Sequence, residues 1–167
     1  MTSPSHPVLA CLGLAFVLAA QVAGQVEKVA MRTTGISCGV CAGLSEIYFH
    51  RMPGVDKVKI SLSQEAIMLT YKPGAKFDPN AIRKILEPLK VGVVQFQVDV
   101  RGQVHEINGK RILEAGGDQF ILLDAIDSPE VPAGLPLHIE GILYDRASPM
   151  EIKVLKFEEL RHEELRH

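Results

Sequence analysis

Gly35-Ile36-Ser37-Cys38-Gly39-Val40-Cys41, followed by Met52-Pro53-Gly54-Val55, is the stretch on which the fold turns. Two thiols three positions apart stand between a strand-like run and a helix-like one. So placed, they can ligate one soft metal ion or close one small disulfide. Upstream, Val26 to Thr33 alternates as a strand, and Thr34-Gly35 ends it. Downstream, Val40, Leu44, Ile47, Tyr48 and Met52 recur at helical spacing and predict a buried stripe, until Pro53-Gly54 stops the helix. Val55, Val58, Ile60 and Leu62 predict a strand, Ser63-Gln64 a tight turn, and Ala66 to Tyr71 the returning partner. Asp78 then caps a second helix with Pro79 at its first position, and Ile82, Ile85, Leu86 and Leu89 form its buried stripe. Val93 to Phe96 extends once more.

The order is βαββαβ, the ferredoxin-like split arrangement, so the first unit is of the α+β class. On the residues just quoted, together with Val58-Lys59-Ile60-Ser61-Leu62, Tyr71 and Phe77-Asp78-Pro79, it resembles the heavy-metal-associated domain family over about residues 27–98. The family is a small metallochaperone fold, found alone and at the front of copper-transporting ATPases. The resemblance implies metal binding by Cys38 and Cys41, with Ser37 and Lys90 beside the metal; Lys90 is read first as a solvated surface lysine, and alternatively as a cation that partly neutralises a bis-thiolate complex. It also implies a metal-donor or acceptor protein as partner, such as a membrane metal transporter. Two departures stand out: Ser45 occupies a helix position where the family places a branched apolar residue, which predicts a rotated first helix. Leu89-Lys90-Val91-Gly92-Val93 lacks the aromatic residue many bacterial members have there.

From Phe96 the alternation continues through Val98, Val100, Gly102 and Val104, so the last strand of the first unit runs into the second without a linker. Arg111-Ile112-Leu113, Phe120 to Leu123, Leu137 to Leu143 and Glu151 to Leu155 are further strand candidates, separated by Asn108-Gly109, Gly116-Gly117-Asp118 and Pro132-Ala133-Gly134. Gly102 and Gly141 within strands predict bulges or bends of the kind a small closed barrel needs. This all-β unit, residues 99–157, resembles an OB-type barrel through strand spacing alone. His105, His138 and Met150 are its metal-capable side chains, and their spacing predicts no second metal site. The default reading is a docking module. Residues 158–167, Glu-Glu-Leu-Arg-His written twice, predict a charged helical tail in which Glu158 meets Arg161 and His162.

Val8 to Ala20 is apolar, uncharged and short for a spanning helix, and reads as part of a signal peptide over residues 1–24, cleaved after Gly24. The expectation is therefore an exported, periplasmic or otherwise extracytoplasmic protein, with an uncleaved membrane anchor as the alternative. Removal of Cys11 with the leader leaves Cys38 and Cys41 alone, and a disulfide across two intervening residues staples almost nothing. The composition, 47% hydrophobic and 23% charged with a net charge of -2, is that of an ordinary globular protein and carries no nucleic-acid footprint. Charge is unevenly spread: residues 25–98 hold ten Lys and Arg against six Asp and Glu, and residues 99–167 hold eight against fourteen. Two oppositely charged units can dock with each other, and the alternative reading is that each is simply a soluble surface.

Thiolates without nearby His or carboxylate suit an ion content with low coordination, chiefly Cu(I), then Hg(II). Zn(II) asks for four ligands and finds two obvious ones. A helix that starts at the loop should lower both cysteine pKa values. The reading is a carrier rather than an enzyme, and two facing loops could share one ion in a homodimer. The same Cys-Gly-x-Cys also resembles thiol-disulfide oxidoreductases, though Ser37 stands where those usually place an aromatic residue. A non-metal interaction module is the third reading.

Overall fold

Within residues 24–161, which the computed structural model describes, eight strands and two helices follow one another. β1 (Gln25–Thr34), α1 (Gly39–His50), β2 (Val55–Ser61), β3 (Ala66–Tyr71), α2 (Pro79–Leu86) with a 3-10 turn at Glu87–Leu89, and β4 (Gly92–Ile107) come first. β5 (Lys110–Ala115), β6 (Asp118–Leu123), β7 (Pro136–Tyr144) and β8 (Met150–Glu159) complete the chain. Asp78 caps α2 as its sequence position predicts, accepting from the backbone N–H groups of Asn80 at 2.9 Å and Ala81 at 3.2 Å.

The first four strands lie in the order β2-β3-β1-β4, all neighbours antiparallel, which is the ferredoxin-like sheet. β4 is long enough to serve two structures. Gly92 to Arg101 pair with β1, and beyond them Gln103 to Ile107 pair with β5 along the same edge. The opposite edge, Phe96 to Gln103, pairs with β7. β5, β6, β8 and β7 then return to β4 and close a barrel, with β6 and β8 parallel and the other pairs antiparallel. The four strands expected after residue 110 are all present.

Gly102 sits where β4 exchanges β1 for β5. A side chain there would meet the Glu114 carbonyl at 2.3 Å, so only glycine lets the backbones approach. Gly141 lies at a register shift between β7 and β8, the irregularity predicted for it. One set of alternating residues on β4, Phe96, Val98, Val100 and Val104, is buried throughout. The same face of this strand covers the helix-packed core and lines the barrel, so a single hydrophobic cluster runs through both. The charge asymmetry is partly consumed across this junction. Lys28 pairs with Asp99, and Arg83 with Asp145, each a cation of the first unit on an anion of the second.

Three expectations are corrected or fall elsewhere. α1 does not bury Val40, Leu44, Ile47 and Tyr48; it buries Ser45 and Phe49, with Ala42 and Met52 partly covered. Val40 is 73% exposed and Ile47 48%. The helix is apolar nearly all round, so sheet contact rather than periodicity picks its inner face. Glu158 and Glu159 do not open a helix: they end β8, and Glu158 pairs with Lys156. The remainder of the expected tail, from His162, lies outside the described residues, as does the expected leader except Gly24. Gly24 is buried in the seam between β4 and β5, where a side chain would collide with backbone at Arg101, Gly102 and Ala115.

Candidate metal-binding site

The loop between β1 and α1 is shaped by two local requirements. Gly35 adopts φ +86, and a side chain on it would lie 2.8 Å from the Lys90 carbonyl oxygen. Ile36 is fully buried beneath the loop and anchors it to the core. Thr33, also buried, ties the end of β1 to the β2–β3 turn: its N–H and its hydroxyl both donate to the Glu65 carbonyl, at 2.7 and 2.8 Å.

Cys38 is the N-cap of α1. Its backbone is extended, and its sulfur accepts from the Cys41 N–H at 3.2 Å, taking a position more often filled by Ser, Thr or Asp. Cys38 is exposed and Cys41 half-buried; both are free thiols, with sulfurs 2.8 Å apart in hydrogen-bond contact. The two do not ionise alike. The Cys41 thiol, and then the Cys41 and Val40 backbone N–H groups, stabilise a Cys38 thiolate and hold its pKa below the ordinary thiol value. Cys41 moves up, first because its proton is engaged by Cys38 and then through burial and the charge on Cys38. The expectation that both fall is corrected: the helix start favours one thiolate, and that thiolate retains the other proton.

Ser37 is exposed at the loop crest. Lys90 is brought to the loop by its backbone: it ends the 3-10 turn in a left-handed conformation, φ 56, with its carbonyl against Gly35 and its side chain exposed. His105 and His138 lie on the barrel strands, paired with Glu114 and Glu27 at 3.6 Å. Neither they nor Met150, at the start of β8, join the cysteines. Among the described residues no group of three or more His, Cys, Asp or Glu side chains could hold a metal ion, so the donor set is the two sulfurs.

Two features of the surroundings escape sequence reasoning about ligands. Ser45, one turn beyond Cys41, is fully buried and its hydroxyl has no partner among the described residues. The unusual serine at that helix position was its signal. The exposed side of α1, Val40, Leu44, Ile47 and Tyr48, forms an apolar stripe that begins between the two cysteines.

No family model matches the chain. It is 31% identical over 88 residues to the copper-exporting P-type ATPase of Bacillus subtilis, 52% of this chain and 11% of that protein. It is 27% identical over 78 residues to a probable copper-exporting P-type ATPase of Archaeoglobus fulgidus, 47% of this chain and 10% of that protein. The chain thus spans about a tenth of the length of the curated relatives it matches. Among solved structures, the yeast copper transporter domain Ccc2a is 21% identical, with a TM-score of 0.36 over 41% of this chain and 94% of that one.

Proposed function

Residues 27–98 form a heavy-metal-associated domain, and from that premise we propose that the protein captures Cu(I) on Cys38 and Cys41 and hands it to a partner. The observation that carries the reading is the donor set itself, two free sulfurs 2.8 Å apart on an exposed helix start, one of them disposed to ionise. Two soft ligands suit Cu(I), and Hg(II) after it, better than Zn(II). The copper-exporting function of the two relatives supports the same ion.

Transfer follows from openness. With Cys38 exposed, a thiolate of the partner can bond the ion before a sulfur of this chain leaves, so the ion passes through a shared intermediate and is never released to water. The partner in this reading is a metal donor or acceptor such as a membrane metal transporter, with a metal-bridged homodimer as the symmetric case. Ser37 and Lys90 are neighbours of the complex rather than ligands, and no covalent chemistry is required of the chain. We assign the barrel to the OB type as a docking module, and place the work outside the cytosol on the strength of the apolar segment Val8 to Ala20.

Anaerobic titration of reduced protein with Cu(I) against a competing chelator tests this, with Zn(II) and Hg(II) in parallel. One-to-one uptake lost in the Cys38→Ser plus Cys41→Ser variant is the expected result. Absence of thiol-dependent uptake, with a disulfide that exchanges readily with other proteins, would establish the oxidoreductase reading instead, to which the lowered Cys38 pKa also lends itself. No uptake by the wild type, with a disulfide that does not exchange with other proteins, would leave an interaction module.

A further inference from the structure

Arg83 stands on α2 and is held at three places by groups distant in sequence. Its Nε and Nη2 donate to the Asp145 carboxylate at 3.0, 2.8 and 3.1 Å. Its Nη1 donates to the Val93 carbonyl at 3.3 Å, and its Cζ lies 5.0 Å from the centre of the Phe96 ring. Asp145 follows β7 in the barrel, while Val93 and Phe96 belong to β4. One side chain therefore fastens α2 to both the barrel and the shared strand. The contact is bidentate, and the Asp145 side chain is only 12% exposed, which sets it apart from a surface ion pair.

The path from Arg83 to the cysteine loop is short, running through two backbone hydrogen bonds and one close backbone approach. α2 ends at Leu86, whose carbonyl accepts from Val91 at 3.2 Å, and the Glu87 carbonyl accepts from Lys90 at 3.0 Å. Lys90 turns left-handed, and its carbonyl packs against Gly35, three residues before Cys38. α2 does not need the barrel in order to form. It has its own cap at Asp78 and buries Ile82 and Leu86 completely. What the barrel adds is a fixed placement of the far end of that helix.

We propose that Arg83 and Asp145 form a positioning pair for the cysteine loop, by which the barrel holds the Lys90–Val91 support on which Gly35 rests. The consequence for metal handling rests on the Cu(I) reading; the mechanical coupling does not. In this account the barrel is part of the metal-handling device and sets how firmly the loop keeps its geometry.

The whole chain carries the test, as wild type, Asp145→Ala, Asp145→Glu and Arg111→Ala. The last removes a barrel ion pair to Asp124 and controls for loss of barrel stability. Two quantities are read: hydrogen exchange at the Lys90 and Val91 amides without metal, and the rate of Cu(I) release to a chelator. Loss of one charge-assisted contact in Asp145→Ala should speed both by about tenfold. Asp145→Glu should restore most of the change, and Arg111→Ala should leave both at the wild-type rate. Unchanged exchange and release in Asp145→Ala, with only a lower melting temperature, would overturn the proposal, as would an equal response in Arg111→Ala. If the wild type takes up no Cu(I), the transfer reading fails, and the exchange rates alone decide the positioning claim.

Discussion

Cys38 and Cys41 look symmetric in the chain and are unequal in the fold. The Cys41 thiol is the foremost group favouring the Cys38 thiolate, ahead of the backbone N–H groups. Cys41→Ala should therefore move the alkylation midpoint of Cys38 to higher pH, since the depressed pKa loses its main support and rises toward the ordinary value. Residue-resolved iodoacetamide labelling as a function of pH measures it, and a midpoint that stays or falls would contradict the hydrogen-bond account. Gly35 is the residue the loop can least do without. Gly35→Ala combines φ +86 with a 2.8 Å approach to the Lys90 carbonyl. It should lose about 1–3 kcal/mol in urea denaturation. Ser45 points the other way. Its buried hydroxyl has no partner among the described residues, so Ser45→Ala is expected to gain about 1 kcal/mol in the same assay. A loss would mean that an unseen partner, such as water, satisfies it.

Among the elements, α1 and β4 illustrate how far local pattern reaches. The limits of α1 follow from Cys38 as cap and Pro53-Gly54 as stop, but its orientation follows from contact with the sheet. Phe49 is fully buried, whereas Ile47 is 48% exposed. Phe49→Ala should cost about 3–5 kcal/mol, while Ile47→Ser should stay within about 0.5 kcal/mol; thermal melts of the two decide the orientation. The reverse outcome would restore the stripe expected from spacing. β4 was readable along its whole buried face because alternation is a property of one strand. Its change of partner from β1 to β5 at Gly102 was not, because it depends on which edges meet.

For the molecule as a whole, the shared strand and single core imply one cooperative unit in place of two domains on a tether. Calorimetry should give a single transition whose van't Hoff and calorimetric enthalpies agree; two resolved transitions would show that the barrel and the ferredoxin-like sheet unfold separately. Such unity gives the barrel a route to the cysteine loop, since a strain at β7 reaches α2 through Arg83 without a hinge between them.

By itself the sequence determined the order of elements, the capped start of α2, the buried face of β4, the need for glycine in two barrel strands, and a cysteine pair at the loop before α1. These are matters of spacing and of residues a few positions apart. Only the tertiary structure decided which side of α1 faces inward, that one strand serves both sheet and barrel, and that Arg83 meets Asp145 across 62 positions of chain. Each depends on groups brought together by packing, and a periodic pattern carries no information about partners that far away.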